Sequence, residues 1–209
     1  DIKNFKVLNK SFKFLEKLNK REITKYSPKI IFFIHWSHKI PSEIFTNFLC
    51  IQFHSSNLPK FKGGSPIQHQ IIRGLKKTKI TAFKVTDKID GGDICLKNHL
   101  ILNGTADQIY KRMEKKCIFM IKNLSTKKKL LFRKQNGKSS YFKRRKFIES
   151  NICSIKTPNL KKIFNFIRML DAPGYPKAFI DLKKYKIFLE KAKIKKNKIL
   201  VGEFKIAKK

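Results

Sequence analysis

Apolar positions along this chain fall into short runs separated by polar loops, and the spacing within each run predicts its element. Ile30-Ile31-Phe32-Phe33-Ile34 is a continuous apolar run after Pro28, the mark of a strand buried on both faces, as in a parallel sheet. His35 to Pro41 follows as a loop at that strand's C-terminal end, and Pro41 with Ser42-Glu43-Ile44-Phe45 starts a short helix. Phe48 to His54 is a second short strand. Ser65-Pro66 is a helix start, with Ser at the N-cap and Pro at the first helical position; Ile67, Ile71 and Ile72 face inward and Gly74 stops the helix. Lys79 to Thr86 and Ile94 to Leu102 alternate like strands. Thr105 and Gln108 make a capping box before a helix with a core stripe of Ile109, Met113, Cys117, Met120 and Leu124. Residues 1–27, Lys-rich with Phe and Leu at mixed spacing, read as helix and loop.

Strands alternating with helices predict an α/β fold with a mostly parallel sheet flanked by helices. Ligands of such sheets sit beyond the strand C-terminal ends, where His35, His38 and His54 fall. The composition shifts near residue 126 and stays polar and basic to about 156, with Gln135-Asn136-Gly137-Lys138 as a turn. Pro158 opens a helix with Leu160, Ile163, Phe164, Ile167 and Leu170 on one face. A buried Arg168 on that helix would need a carboxylate such as Asp171. Ala178 to Ile206 alternates well enough for three short antiparallel strands. Residues 1–126 are therefore expected to form the main domain and 127–209 a small C-terminal α+β appendage.

Charge changes this picture less than its size suggests. The 209 residues carry a net charge of +36, but 43 of the 50 basic residues are Lys and only 7 are Arg. The lysines are scattered, densest at Lys127-Lys128-Lys129 and Lys143-Arg144-Arg145-Lys146, and Ile, Asn and Phe are abundant too, as an A/T-rich coding sequence would produce. A scattered lysine surface is a solvated face, so nucleic acid is not the expected partner, although anionic substrates would be drawn to it. Cys50, Cys95, Cys117 and Cys153 make no C-x-x-C pair, which argues against a zinc site and for reduced thiols in a cytoplasmic protein. No apolar stretch reaches membrane-spanning length. The chain begins at Asp1 without Met, and a missing N-terminus is expected.

Candidate chemistry centres on His54 and Asp90. A histidine at the end of an apolar run and an acid in the Gly-rich stretch Ile89-Asp90-Gly91-Gly92-Asp93 are how a fold brings imidazole and carboxylate together for proton chemistry. Equally plain uses exist for each: a strand-edge histidine bonded to backbone, and a turn aspartate before glycine. The long loop from Ser55 to Pro66 has no apolar periodicity and ends at a helix N-terminus, a natural oxyanion site.

In order along the chain stand Gln52-Phe53-His54, Ser56-Asn57-Leu58-Pro59, Lys62-Gly63, Pro66 and Ile89-Asp90-Gly91-Gly92-Asp93. This series resembles the formyltetrahydrofolate-dependent formyltransferases, whose signature is Asn-x-His, a Ser-Leu-Leu-Pro-like loop, Arg-Gly, a helix-starting Pro and Leu-Asp-x-Gly-Asp. Phe32 to Ser37 with Ile40-Pro41, Tyr141 to Arg145, and Ile167 to Asp171 leading to Tyr175-Pro176-Lys177-Ala178-Phe179 look most like the sugar N-formyltransferases of pseudaminic-acid-like pathways. The resemblance implies a Rossmann-like formyltransferase fold lacking its first N-terminal strands.

It also implies a bacterial, cytoplasmic enzyme that moves a formyl group from N10-formyltetrahydrofolate to the amine of a nucleotide-linked amino sugar, with no metal. Sugar-modifying members are often homodimers. His54 would stabilise the tetrahedral oxyanion and shuttle the amine's proton, Asp90 would orient the imidazole, and Gln52 would stand where the family has its Asn amide donor. Lys62 departs from the family's Arg. The folate would lie between His38, Lys39 and Ile40, the loop residues Ser56, Leu58 and Pro59, and the stretch Thr86, Asp87, Lys88 and Ile89. Trp36 would flank the sugar or pack in the core, and Arg144 and Arg145 would meet nucleotide phosphates or form a solvated basic run. Methionyl-tRNA formylation is the alternative, against which the short tail weighs. A basic nucleic-acid-binding domain and a catalytically degenerate family member are the others.

Overall fold

The computed structural model describes residues 12–196 and 198–209. The helix and loop expected over 1–27 thus lie outside the described residues for 1–11. Within the remainder, α1 (Lys20–Tyr26) is capped by Asn19, whose side chain accepts the N–H of Glu22. Two compact units form, each assembled from separated stretches. The first takes the chain up to Lys62 with Lys79–His99 and Arg112–Ser140; the second takes Gly63–Thr78, Leu100–Lys111 and Tyr141–Lys209. Of the two stretches expected from the sequence, 1–126 and 127–209, residues 127–140 lie with the first unit and 63–78 and 100–111 with the second.

In the first unit, β1 (Ile30–Phe33) runs parallel to β2 (Leu49–His54), with the crossover made through α2 (Ser42–Asn47). β2 pairs antiparallel with β4 (Lys77–Lys84), with His54 opposite Thr81, and β5 (Ile94–Ile101) completes the order β1-β2-β4-β5. The sheet is therefore mixed rather than mostly parallel. The unbroken apolar run of β1 does forecast its parallel pairing, whereas the alternation that locates β4 is itself a sign of antiparallel pairing. Ile23, Phe33, Ile40, Ile44, Cys50 and Val85 form a buried cluster, with Trp36, Phe45 and Phe48 packed against it.

α4 (Ala106–Thr126) opens with the expected reciprocal box: Thr105 N–H donates to Gln108 Oε1 at 3.1 Å and Gln108 N–H to Thr105 Oγ1 at 3.3 Å. Its stripe of Ile109, Met113, Cys117, Met120 and Leu124 is fully withdrawn from solvent.

The second unit packs α3 (Pro66–Ile72) against α5 (Leu160–Leu170), and α5 against an antiparallel sheet of β7 (Ala178–Asp181), β8 (Tyr185–Lys195) and β9 (Ile199–Lys208). Pro66 is the first residue of α3, but Ser65 does not cap it. Ser65 is left-handed (φ 50°), and its hydroxyl accepts the Arg145 N–H at 3.1 Å instead. β3 (Lys62–Gly63) pairs with β6 (Tyr141–Phe142), and Gly64 N–H donates to Phe142 O at 2.8 Å. Every residue from Asn165 to Leu170 is buried, on all sides of the helix and not one face, because α5 lies between α3 and β8. Arg168 in that stretch is not paired with Asp171. Its guanidinium donates to Leu102 O (2.7 Å), Gly104 O (2.8 Å) and Asn165 Oδ1 (2.8 Å), and burial pulls its pKa down to about 10. Asp171 holds Lys177 at 2.7 Å and accepts the Lys191 N–H at 2.8 Å.

Candidate active site

His54 is the last residue of β2, held at a strand end by the antiparallel register with Thr81 of β4. Thr81 also anchors the loop that follows: its hydroxyl donates to Ser56 O at 2.7 Å and accepts the Leu58 N–H at 3.3 Å. Lys97 on β5 donates to Asn57 Oδ1 and Leu58 O, both at 2.7 Å. The Ser56 hydroxyl turns inward to Lys60 O at 2.5 Å. The Leu58–Pro59 peptide bond is cis.

Asp90 reaches the same place from the turn between β4 and β5. It is left-handed (φ 47°), and Gly92 makes the turn possible: a Cβ there would lie 1.7 Å from Lys84 O. The result is a buried pair, with His54 Nδ1 3.5 Å from Asp90 Oδ2 and both side chains over nine-tenths shielded. His54 Nε2 stands 2.6 Å from Phe61 O. Both ring nitrogens thus face acceptors. A neutral imidazole has one N–H and can serve only one of them, while an imidazolium serves both. A proton taken up by this ring would find a partner waiting, which suits a group that accepts a proton during a reaction.

Gln52 lies two residues earlier on β2, half-buried, opposite Phe33 of β1. Its Nε2 donates to Trp36 O at 3.5 Å, a long bond that leaves the amide free to turn to a closer acceptor. Trp36 packs edge-on against Phe33 (5.6 Å between ring centres) and His38 (5.8 Å), so core packing accounts for much of its ring. His38 and Lys39 are exposed, whereas Ile40 belongs to the buried cluster. Leu58, Pro59 and Ser56 are buried; Thr86 is half-buried and Asp87, Lys88 and Ile89 are exposed.

Arg144 and Arg145 belong to the second unit. There Arg145 lines a cavity of about 600 Å³ with Phe166, Lys162 and Lys156, its guanidinium 5.6 Å from the Phe166 ring, and burial lowers its pKa from the ordinary value. Sequence reasoning missed Gln135, Ser139 and Ser140, which hydrogen-bond to the Asp90 turn and to the loop after His54. Their distance along the chain from His54 and Asp90 leaves no local signal.

The family model for formyl transferase matches residues 4–121, more than half of the chain. The chain belongs to the formyl transferase family. A second model, for the C-terminal domain of methionyl-tRNA formyltransferase, matches residues 148–207. Among solved structures of formyl transferases, a methionyl-tRNA formyltransferase from Clostridium thermocellum is 43% identical, with a TM-score of 0.85 over 92% of this chain and 86% of that one. A 4-N formyltransferase from Francisella tularensis, 18% identical with a TM-score of 0.66 over 79% of this chain and 72% of that one, shares the fold. A methionyl-tRNA formyltransferase of Kosmotoga olearia is 27% identical over 161 residues, 73% of this chain and 51% of that protein. The chain spans 24% to 51% of the length of the curated relatives it matches.

Proposed function

We propose that this formyl transferase moves the formyl group of N10-formyltetrahydrofolate to the amino group of methionyl-tRNA. The observation that carries the reading is the buried His54–Asp90 pair at a strand end, within a chain that is 43% identical to a methionyl-tRNA formyltransferase over 86% of that protein. The acceptor amine attacks the formyl carbon, and the C=O oxygen takes negative charge. Gln52 swings its amide from Trp36 O to that oxygen, and His54, its Nε2 turned from Phe61 O to the amine, takes the proton that the amine loses. Asp90 keeps the ring oriented and faces the imidazolium that forms. When the C–N bond to the folate breaks, the same proton is returned to the leaving nitrogen.

This acceptor differs from the nucleotide-linked amino sugar expected first from the sequence. The match of residues 148–207 to a methionyl-tRNA formyltransferase C-terminal domain supports this acceptor, against which the short tail weighed in the sequence. The net charge of +36 then gains a use, because a polyanionic acceptor is steered to a basic surface. Folate would occupy the first unit, between the exposed loop at His38 and Lys39 and the stretch from Thr86 to Ile89.

The test is to incubate the protein with N10-formyltetrahydrofolate and, separately, methionyl-tRNA or a panel of nucleotide-linked amino sugars, with products read by mass spectrometry. Formylmethionyl-tRNA is the expected product. A formylated sugar with no formylmethionyl-tRNA would restore the sugar acceptor, and no formyl transfer to either would overturn the reading.

A further inference from the structure

The segment from Arg133 to Ser140 looks in the sequence like a polar turn, and the chemistry above gives it no task. Its hydrogen bonds nevertheless run to both loops that carry the His54–Asp90 pair. Gln135 Nε2 stands 2.8 Å from Asp90 O and 2.8 Å from Gly92 O. Two carbonyl oxygens can be met only by the two N–H groups of the amide, so the orientation of the amide is fixed and both donors are spent. These carbonyls bracket the Asp90-Gly91-Gly92 turn. Its left-handed aspartate is a conformation that a non-glycine residue keeps only when its surroundings impose it.

Four residues further on, the same segment grips the other loop. Phe61 N–H donates to Ser140 Oγ at 2.9 Å and Lys62 N–H to Ser140 O at 2.8 Å. Ser139 Oγ and Ser140 N–H both donate to Pro59 O at 3.3 Å. Those bonds fix the stretch whose Phe61 carbonyl meets His54 Nε2. At its start the segment is tied to β5, where Ile94 and Arg133 exchange N–H···O bonds of 2.8 and 2.9 Å. One short segment thus holds the partners of both imidazole nitrogens.

We propose that residues 133–140 are a positioning strap and that Gln135 is the positioning residue for Asp90, setting the turn so that the carboxylate stands against His54 Nδ1. The kinetic consequence rests on the formyl-transfer reading; the geometric one does not. Within the strap, Gln135 acts on the Asp90 turn alone, so losing its amide is equivalent to losing the Asp90 carboxylate from its place.

The experiment compares wild type, Gln135→Ala, Gln135→Lys and Asp90→Asn. The turnover of Gln135→Ala in formyl transfer to methionyl-tRNA should fall about 100-fold, the cost of misplacing a reacting group by roughly an ångström, with little change in KM. Its pH–rate profile should coincide with that of Asp90→Asn. Gln135→Lys, whose ammonium still offers donors to both carbonyls, should recover much of the loss. The NMR titration of the His54 ring, which needs no substrate, should follow Asp90→Asn in the alanine variant. Should that variant not fold, Gln135→Met makes the same comparison, since it keeps the size, adds no charge and loses the donors. A wild-type turnover and a wild-type His54 titration in the donor-less variant would overturn the proposal. If the wild-type protein transfers no formyl group, the titration alone decides: coincidence with Asp90→Asn supports the strap, and coincidence with wild type overturns it.

Discussion

Gly92→Ala puts a methyl group where the backbone of β4 already stands. A Cβ at that position lies 1.7 Å from Lys84 O and 2.9 Å from the carbonyl carbon, and neither atom belongs to a side chain that can move aside. Carbon and carbonyl oxygen approach no closer than about 3.3 Å in ordinary contacts, so the turn must retreat by roughly 1.6 Å. That retreat strains the Lys84 N–H to Asp93 O bond of 2.9 Å and drags Asp90, two residues earlier, from its place 3.5 Å from His54 Nδ1. A misplacement of this size costs about 100-fold in rate, and overpacking costs about 1–3 kcal/mol of stability. The assay is the initial rate of formyl transfer beside a urea unfolding curve. Gly74→Ala is the control. Gly74, unlike Gly92, is left-handed (φ 78°), and it has nothing within 4 Å of the added methyl. It should lose only about 1 kcal/mol to backbone strain and keep its rate. A wild-type rate in Gly92→Ala, or equal effects at the two glycines, would refute the claim that close packing of this turn sets the Asp90 position.

Other parts of the molecule give independent tests. Arg168→Met should cost about 1–3 kcal/mol in urea unfolding, because Leu102 O and Gly104 O are left buried without their donor; a loss well below about 1 kcal/mol would mean that water replaces it. Of the four free thiols, exposed Cys153 should react with a thiol reagent in the folded protein, whereas Cys50 and Cys117, both pushed up to about 12 by burial, should react only on unfolding. Burial alone would lower the pKa of Lys177, but Asp171 and Glu190 hold it above its ordinary 10.5. Its contribution is therefore complete below that value and lost as pH rises above it, so the difference in Tm between wild type and Lys177→Met should stay constant up to pH 10.5 and narrow only above it. A constant difference would assign the effect to packing.

Elements whose signal is local were legible in the sequence. The Thr105–Gln108 box, the α4 stripe and the Pro66 helix start depend on residues three or four apart, and each forms. The His54 and Asp90 motifs were legible through their resemblance, in order along the chain, to the formyltransferase signature, and the structure brings the two side chains together. Features decided by partners far along the chain were not. Ser65 gives up its capping role because the Arg145 amide competes for its hydroxyl. Arg168 finds backbone carbonyls across the second unit where sequence proximity suggested Asp171. Gln135 looks like one more polar residue in a basic stretch, yet both of its amide hydrogens are spent on the Asp90 turn. The direction of β4 was legible in principle, since its alternation already spoke for antiparallel pairing. The acceptor was the least legible in the sequence, because a surface lysine carries the same letter whether it meets water or a polyanion.

The most direct measurement of the central claim sets wild type beside His54→Ala, with N10-formyltetrahydrofolate as donor and methionyl-tRNA as acceptor, and circular dichroism as the check on folding. The account predicts formylmethionyl-tRNA from wild type and a rate lower by about 100- to 10,000-fold in the variant, the range that a general base supplies, with the fold intact. Undiminished turnover in folded His54→Ala would contradict it.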